Sequence, residues 1–179
     1  PHAGTPGARY ARGLVLRRLG DSEHAGHSFA ALAQLDTPYQ PLFLSAQAEV
    51  LNVQGDKRKA LKLIGRLAKL SPETPEVFIF GGLIHAVNGS SPQAISFWRR
   101  AVRIGSTEME LRRNLALMLA TDPRSNRNQK REALEHAQLA SQLSLEESWS
   151  VEAALAIAFA ANGKNDEAIS KIEDRKSVV

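Results

Sequence analysis

The chain contains no cysteine, and this absence excludes several kinds of site. Without thiols there is no disulfide framework, no thiolate metal centre and no cysteine nucleophile. Aromatic residues make up only 6% of the 179 residues, whereas a β-sandwich draws on more aromatic and β-branched side chains. No apolar run approaches the roughly 20 residues of a membrane-spanning helix. We therefore expect a soluble chain of the cytoplasm or the periplasm, without a transmembrane segment.

The apolar content comes instead from small and aliphatic residues. Hydrophobic residues make up 43% of the chain, mainly Ala and Leu, which favours helices packed closely on helices. The formal charge of +4 is unevenly spread, because residues 1–131 hold 19 Lys and Arg against 10 Asp and Glu, whereas residues 132–179 hold 4 against 9. This asymmetry is compatible with an acidic partner at the N-terminal part, with head-to-tail contact between chains, or with two differently solvated faces.

A glycine followed five residues later by an alanine recurs along the chain. The pairs are Gly20 and Ala25, Gly55 and Ala60, Gly89 and Ala94, and Gly163 and Ala168. With Ala133 included, successive alanines lie 35, 34, 39 and 35 residues apart. Small residues precede four of the alanines by twelve positions, at Gly13, Ala48, Gly82 and Ala156, and bulky ones follow by four, at Phe29, Ile64, Trp98 and Ile172. One period therefore occurs five times, with an insertion in the fourth unit.

Each period predicts a helix, a tight turn and a second helix. Apolar residues recur at helical spacing on both sides of the glycine, which is the usual residue just past a helix end. A small residue in the first helix lets the second helix approach closely, and the bulky residue is expected to pack against the next unit. The predicted helix pairs are 6–19 and 22–35, 40–53 and 57–70, 75–88 and 91–104, 108–121 and 129–143, and 148–162 and 165–174.

This pattern resembles the tetratricopeptide repeat (TPR), over roughly residues 6–174. The family's aromatic positions are poorly kept, since Leu16, Leu51 and Leu119 stand where tyrosine is common. The resemblance implies an all-α protein, an α-α superhelix or TPR-like solenoid of five helix-turn-helix repeats. It implies one domain over 1–179, with repeats at approximately 6–39, 40–74, 75–107, 108–147 and 148–179. The first helix of each repeat would line a concave face.

The resemblance also implies a binding site, because TPR ligands mostly contact the first helices. Carried over position by position, the partner-binding residues are Tyr10, Leu14, Arg17, Arg18, Glu49, Asn52, Ile79, Phe80, Leu83, Arg113, Asn114 and Leu117. One TPR subclass holds acidic chaperone tails with a clamp of Lys, Asn and Arg. The matching residues here are Tyr10, Leu14, Ala46, Glu76 and Phe80, so the clamp is absent. We expect a peptide or helical segment with apolar and acidic residues.

Two basic segments lie outside this predicted groove. The insertion at 121–131 is a candidate binding loop through Arg124, Arg127, Lys130 and Arg131, and is equally well explained as a tolerated surface insertion. A stripe of basic residues over 57–69 would contact phosphates if it were functional. No aromatic residues interleave with the stripe, so we interpret it as a solvated face and expect no nucleic-acid binding.

Sites for metals and for catalysis have little support. His24 and His27 are three residues apart on a predicted helix, but no carboxylate completes a metal site. His85 falls on a packing face and is interpreted as a satisfied core residue. No Ser, His and Asp set stands in a recognisable catalytic context. We expect no enzyme activity, no metal and no cofactor.

The sequence thus predicts a scaffold that binds a partner protein in its groove, and the Ala-, Leu- and Arg-rich repeats are typical of bacterial assembly, secretion or envelope systems. The alternative is a regulatory, targeting or oligomerisation module of a larger enzyme or membrane-associated complex. The last predicted helix lacks a polar capping segment after it. We therefore expect either that the natural chain continues or that this end forms a homodimer.

Overall fold

The computed structural model describes residues 4–144 and 148–173, and over these ranges it contains ten α-helices and no β-strand. The helices are α1 Pro6–Arg18, α2 Ser22–Leu32, α3 Gln40–Val53, α4 Lys57–Leu70, α5 Pro75–Val87, α6 Ser91–Arg103, α7 Met109–Thr121, α8 Arg127–Leu143, α9 Trp149–Ala161 and α10 Asn165–Glu173. They form five consecutive pairs at the predicted places. The prediction of an all-α fold built from five helix-turn-helix units is confirmed.

The chain divides into two compact units between Phe97 and Trp98, within α6. The first unit contains α1 to α5 and the first half of α6, and the second contains the remainder. Each unit is described separately below. The interpretation of residues 1–179 as one domain stays a prediction.

The turns follow the predicted glycines. Gly20, Gly55, Gly89 and Gly163 all have φ between 74° and 81°, a conformation that L side chains rarely adopt. Each lies two residues after the end of a first helix. The repeated glycine is therefore required by the backbone of the turn, which explains why it marks the period so clearly.

In the first unit, the core forms where a small residue in one helix faces a ring from the next. A Cβ atom built on Gly13 of α1 would lie 2.5 Å from the Cε1 atom of Phe29, which is fully buried on α2. In the third repeat the ring of Phe97 lies equally close to Gly81, the neighbour of the predicted Gly82. Helices α2 and α3, and α4 and α5, also pack against each other. The small residues therefore set the close approach of the paired helices.

In the second unit, α7, α8 and α9 share a core. Its buried members are Ala116, Leu134, Ala137, Leu155 and Ala158. Helix α10 packs on α9 through the buried Ala168. The predicted outward-packing residue of this repeat, Ile172, is 59% exposed. No described helix follows α10, so the expected packing of Ile172 on a next unit is not present in the described chain.

Candidate functional site

The first unit contains a groove formed mainly by its three first helices, α1, α3 and α5. The cavity has a volume of about 470 Å³ and a mostly apolar wall. We call it the first-helix groove, and its lining residues are Tyr10, Leu14, Arg17, Pro41, Leu42, Ser45, Ala46, Glu49, Leu67, Thr74, Glu76, Val77 and Phe80. It lies wholly within the first unit.

Five of the predicted binding residues line this groove. They are Tyr10, Leu14, Arg17, Glu49 and Phe80. The five positions that carry the chaperone-tail clamp in the family also line it, so the residues present there decide what the groove can bind. A wall made of Tyr, Leu, Ala and Phe at these positions suits apolar side chains rather than a terminal carboxylate.

Four predicted residues of the first unit lie outside the groove lining. Arg18 is exposed, Ile79 is half-buried on α5, and Leu83 is 40% exposed. Asn52 accepts a 2.7 Å hydrogen bond on its Oδ1 atom from the side-chain amide of Asn88. Asn52 is therefore hydrogen-bonded within the first unit, a contact that carrying over the family's binding positions could not predict.

Packing fixes the ring of Tyr10 at the groove wall. Its centroid lies 5.7 Å from that of Phe29 and 5.6 Å from that of Phe43, in tilted geometry. Tilted aromatic pairs at such distances are favourable beyond the area they bury. One face of the groove is therefore held in place by rings from α1, α2 and α3.

Three charged residues line the groove, and two of them are paired. The guanidinium of Arg17 on α1 forms an ion pair with the carboxylate of Glu49 on α3. Glu76 is exposed in the first turn of α5, where the helix dipole favours a negative charge. The lining therefore carries one net negative charge, so the groove offers an acceptor to a basic partner residue and no unpaired cation to an acidic one.

The predicted binding residues of the second unit are held by other side chains. Arg113 Nη1 donates to Ser150 Oγ at 2.8 Å, and Arg113 Nη2 donates to Asn114 Oδ1 at 3.1 Å. The same guanidinium forms an ion pair with Glu110. Leu117 is half-buried on α7. Arg113 thus links α7 to the first turn of α9, and Asn114 accepts a hydrogen bond from the same guanidinium.

The predicted basic loop is shorter than the sequence indicated. Helix α8 begins at Arg127 and not at 129, so Arg127, Lys130 and Arg131 lie in its first turns. A capping box explains the early start, since the side chain of Asn126 accepts from the Gln129 amide and the Gln129 side chain accepts from the Asn126 amide. Placing these three basic residues in a loop was therefore wrong.

Only Arg124 of the four remains in the connecting segment. Its guanidinium donates to both carboxylate oxygens of Asp122, at 2.9 and 2.7 Å. These hydrogen bonds and the Arg124 backbone amide lower the pKa of Asp122 to about 2. The positive charge of Arg124 is thus paired with the negative charge of Asp122 in the same segment.

Six groove residues are not among the binding residues or clamp positions named from the sequence: Pro41, Leu42, Ser45, Leu67, Thr74 and Val77. Leu67 belongs to α4, a second helix, and is only 1% exposed. The periodicity of α4 identifies Leu67 as a core residue but carries no sign that it also forms the groove floor. Pro41 lies in the first turn of α3, and Thr74 directly precedes α5, so both are set by the places where helices begin.

The histidines have structural neighbours. His24 Nδ1 lies 2.8 Å from an oxygen of Asp21, the N-cap residue of α2. His85 packs on the Phe97 ring at 4.9 Å, and its Nδ1 atom has no hydrogen-bond partner among the described residues. The interpretation of His85 as a satisfied residue was therefore wrong, and burial lowers its pKa.

In the described ranges, no group of three or more His, Asp or Glu side chains is placed to hold a metal ion. Among the described helices, none has the length and apolarity needed to cross a membrane. The basic stripe on α4 lies on an exposed surface, at Lys57, Arg58, Lys62, Arg66 and Lys69.

Comparison with known proteins shows the fold. No family model matches the chain, and no curated protein matches its sequence. MamA from Desulfovibrio magneticus RS-1 is 16% identical with a TM-score of 0.80, over 97% of this chain and 94% of that one. A tetratricopeptide repeat protein from Parabacteroides merdae is 12% identical with a TM-score of 0.80, over 97% of this chain and 67% of that one.

A third solved structure is YrrB, described as a TPR protein with an unusual peptide-binding site. It is 14% identical with a TM-score of 0.72, over 92% of this chain and 81% of that one. The chain therefore has a TPR-type helical repeat fold. At these identities the likeness concerns the fold, and function has to be argued from the residues of this chain.

Proposed function

We propose that the chain is a protein-binding scaffold whose first-helix groove accepts a short peptide or helical segment of a partner. The observation that carries the proposal is the convergence of Tyr10, Leu14, Leu42 and Phe80 in one cavity of about 470 Å³. Leu42 is 45% exposed there. Apolar walls with few charged groups are typical of sites that hold an apolar anchor side chain.

The charges of the groove refine the partner. Glu76 is the one charged lining residue without an ion-pair partner among the described residues. A lysine or arginine next to the apolar anchor would pair with it. The partner segment proposed for this groove therefore has an apolar residue, as the sequence predicted, and next to it a basic residue instead of the predicted acidic one.

The proposal assigns binding and not catalysis to the chain. Apart from Arg17 and Glu49, which pair with each other, the groove wall offers one carboxylate and no histidine. General acid-base chemistry needs a positioned acid or base of suitable pKa. Support for peptide binding by this fold comes from YrrB, whose description includes a peptide-binding site.

Selection of nine-residue peptides from a random display library on the full chain tests this proposal. We expect the selected peptides to share an apolar residue near a basic one. Phe80→Ala should weaken their binding by at least about tenfold, the effect of losing an interface hot spot. Leu83→Ala is the matched control, because Leu83 is on the same helix, 40% exposed and outside the groove lining.

Isothermal titration calorimetry with the best peptide would measure both variants. An affinity of the Phe80→Ala protein equal to that of the unaltered protein would contradict the proposal. Loss of binding in both would point to damage to α5, which circular dichroism would reveal. Retained affinity in a Glu76→Gln variant would reject the basic residue while leaving the apolar anchor intact.

One observation favours oligomerisation as a second candidate function. Trp149 and Ile172, which are 65% and 59% exposed, line a cavity of about 310 Å³ in the second unit, and Ile169 nearby in sequence is 52% exposed. Exposed apolar clusters mark interaction sites in many proteins. If this end forms the homodimer predicted from the sequence, sedimentation velocity should show a concentration-dependent dimer that Trp149→Ser abolishes. A monomer at every concentration would reject it.

A further inference from the structure

Helix α1 has a second cleft, lined by none of the groove residues, between α1 and α2. The cleft has a volume of about 480 Å³. We call it the α1–α2 cleft, and its lining residues are Gly4, Ala8, Arg9, Arg12, His24, His27, Ser28 and Ala31. Half of the lining residues have small side chains, and the other half are basic residues from both helices.

The repeat register shows that this surface differs from its counterparts in the first unit. Helices α3 and α5 pack on the second helix before them. The residues Phe43 and Leu44 of α3 are 4% and 0% exposed, and Val77 and Phe78 of α5 are 8% and 6% exposed. Shifting back by one period of 35 residues from α3 gives the equivalent residues on α1, which are Ala8 and Arg9.

A third position is less uniform, because the residue of α3 there is the half-buried Gln47. Gly81 of α5 lies against Ile64 of α4, and its equivalent on α1 is Arg12. At the position of a buried apolar residue in each inner repeat of this unit, α1 therefore has the guanidinium group of Arg9, and a second guanidinium group follows at Arg12. Arg9 is half-buried and Arg12 is exposed, so both side chains reach the surface where a partner could contact them.

Among the residues that the structure describes, the two arginines of the cleft are unpaired. Within the described ranges, the side chains of Arg9 and Arg12 have no hydrogen-bond or ion-pair partner. His24 is held through Nδ1 by Asp21, which leaves its Nε2 atom for another contact. None of the described lining residues is acidic. Opposite charges attract more strongly in a partly enclosed cleft than in bulk water.

We propose that the α1–α2 cleft binds an acidic peptide segment of a partner, with glutamate or aspartate carboxylates paired to Arg9 and Arg12. A guanidinium group matches a carboxylate with two parallel hydrogen bonds. The two arginines are three residues apart on one helical face, so they can receive neighbouring carboxylates. No aromatic side chain lines the cleft, so it has no platform for stacking bases, and this favours a peptide over a nucleic acid.

The proposal does not depend on binding in the first-helix groove. It gives the positive charge of the N-terminal part a specific place, separate from the groove. A partner could therefore contact α1 on both faces, with an apolar residue in the groove and an acidic stretch in the cleft, or two partners could bind at once.

The test uses a fluorescein-labelled octaglutamate peptide and the full chain, with fluorescence anisotropy as the readout. We expect saturable binding that weakens as salt is added, because screening reduces attraction between exposed charges. The double variant Arg9→Glu, Arg12→Glu should bind at least about tenfold more weakly, as expected when paired charges are reversed. Phe80→Ala should bind the peptide as the unaltered protein does.

The matched control is Arg58→Glu, Arg66→Glu on α4, which makes the same change in net charge on an exposed surface of the same unit. If this control weakens binding as much as the cleft variant, attraction is non-specific and the proposal is overturned. Binding of octaglutamine with equal affinity would also overturn it. The milder Arg12→Gln variant, expected to weaken binding severalfold, covers the case in which the double variant fails to fold.

Two further outcomes would assign the cleft to another occupant and reject the peptide. Tighter binding of a labelled single-stranded oligonucleotide of the same charge would indicate a nucleic acid. Self-association of the chain that disappears in Arg9→Glu, Arg12→Glu would indicate a second copy. Preference for octaglutamate over both, lost only in the cleft variants, would support the proposal.

Discussion

The side-chain amide of Asn162 donates a 2.7 Å hydrogen bond to the backbone carbonyl oxygen of Lys130, so the end of α9 is tied to the start of α8. The first unit contains two related bonds. Gln54 donates to the carbonyl oxygen of Ser22, and Asn88 donates to the Asn52 side chain, both at 2.7 Å. Each donor directly precedes a turn glycine. In these three repeats, the residue before the turn glycine therefore links the repeat to the one before it in the same unit.

We expect Asn162→Ala to destabilise the second unit. The substitution removes the bond to Lys130 and a second bond, of 2.8 Å, to the carbonyl oxygen of Ala158. A typical hydrogen bond contributes about 0.5–1.5 kcal/mol to stability. Urea unfolding followed by circular dichroism should show a lower midpoint. Asn128→Ala, at an exposed position of α8, should leave the midpoint unchanged, and equal shifts in both variants would contradict the interpretation.

The fold could be predicted from the sequence because its signals are local. The left-handed turn conformation needs glycine, and a close helix contact needs Gly or Ala, so both recur with the period. The capping box at Asn126 and Gln129 was also local, but the polar composition of the insertion concealed it. The bonds from Gln54 and Asn162 were missed, because each spans 32 residues and depends on how neighbouring repeats are stacked.

Two glycines within helices should respond oppositely to the same substitution. A Cβ atom at Gly13 would lie 2.5 Å from the fully buried ring of Phe29, whereas a Cβ atom at Gly65 of α4 would have no neighbour within 4 Å. Inside a helix, alanine is more stabilising than glycine by about 0.5–1 kcal/mol. We expect Gly65→Ala to raise the free energy of unfolding by about this amount, and therefore to raise the urea midpoint.

Gly13→Ala should lower the midpoint, because overpacking a core costs about 1–3 kcal/mol, more than the gain in helix propensity. The Phe29 ring has little freedom to move, since Tyr10 packs against it at 5.7 Å. A double variant Gly13→Ala, Phe29→Leu should recover part of the loss. An increase in stability for Gly13→Ala alone would show that α1 and α2 can separate without cost.

Stability should fall between pH 7.5 and pH 5.5. Burial, together with the nearby charge of Arg112, lowers the pKa of His136 below its ordinary 6.5. The guanidinium of Arg112 lies 3.1 Å from His136 Nδ1, so a proton on that ring is unfavourable in the folded state. The unfolded chain then binds more protons in this window, and the free energy of unfolding rises with pH. The contribution of His136 to the free energy of unfolding is present in full above its unfolded-state pKa of 6.5, and it is lost as the pH falls through the lower pKa of the folded state.

Urea midpoints at the two pH values would measure this effect. His136→Gln should reduce the difference between them. His85, whose pKa burial also lowers, contributes in the same direction, so the double variant His85→Gln, His136→Gln should reduce the difference further. His27→Gln, at an exposed position, serves as the control. An unchanged difference in the double variant would show that other groups cause the pH dependence.

The candidate binding site could be predicted only in part. The family positions indicate on which face of its helix each residue lies, but they do not indicate which other side chains it contacts. Tyr10, Leu14 and Phe80 line one groove, since the face on which a residue lies follows from helical spacing. Arg113 faces the same way on its helix, but its guanidinium binds Ser150, which is 37 residues away. Helical spacing alone does not show which polar side chains already form hydrogen bonds within the protein.

We therefore expect Arg113→Gln to affect stability rather than binding. The side chain of Arg113 is 21% exposed and joins α7 to Ser150 at the start of α9. Hydrogen bonds to a charged group contribute about 1.5–3 kcal/mol each, and the exposure of Glu110, at 54%, reduces what its ion pair adds. The urea midpoint should fall, whereas Arg131→Gln at an exposed position of α8 should leave it unchanged. Because the first-helix groove lies within the first unit, peptide affinity should be retained in both variants. If Arg113→Gln instead abolishes peptide binding at an unaltered midpoint, then Arg113 contacts the partner as the sequence predicted, and its bond to Ser150 is released on binding.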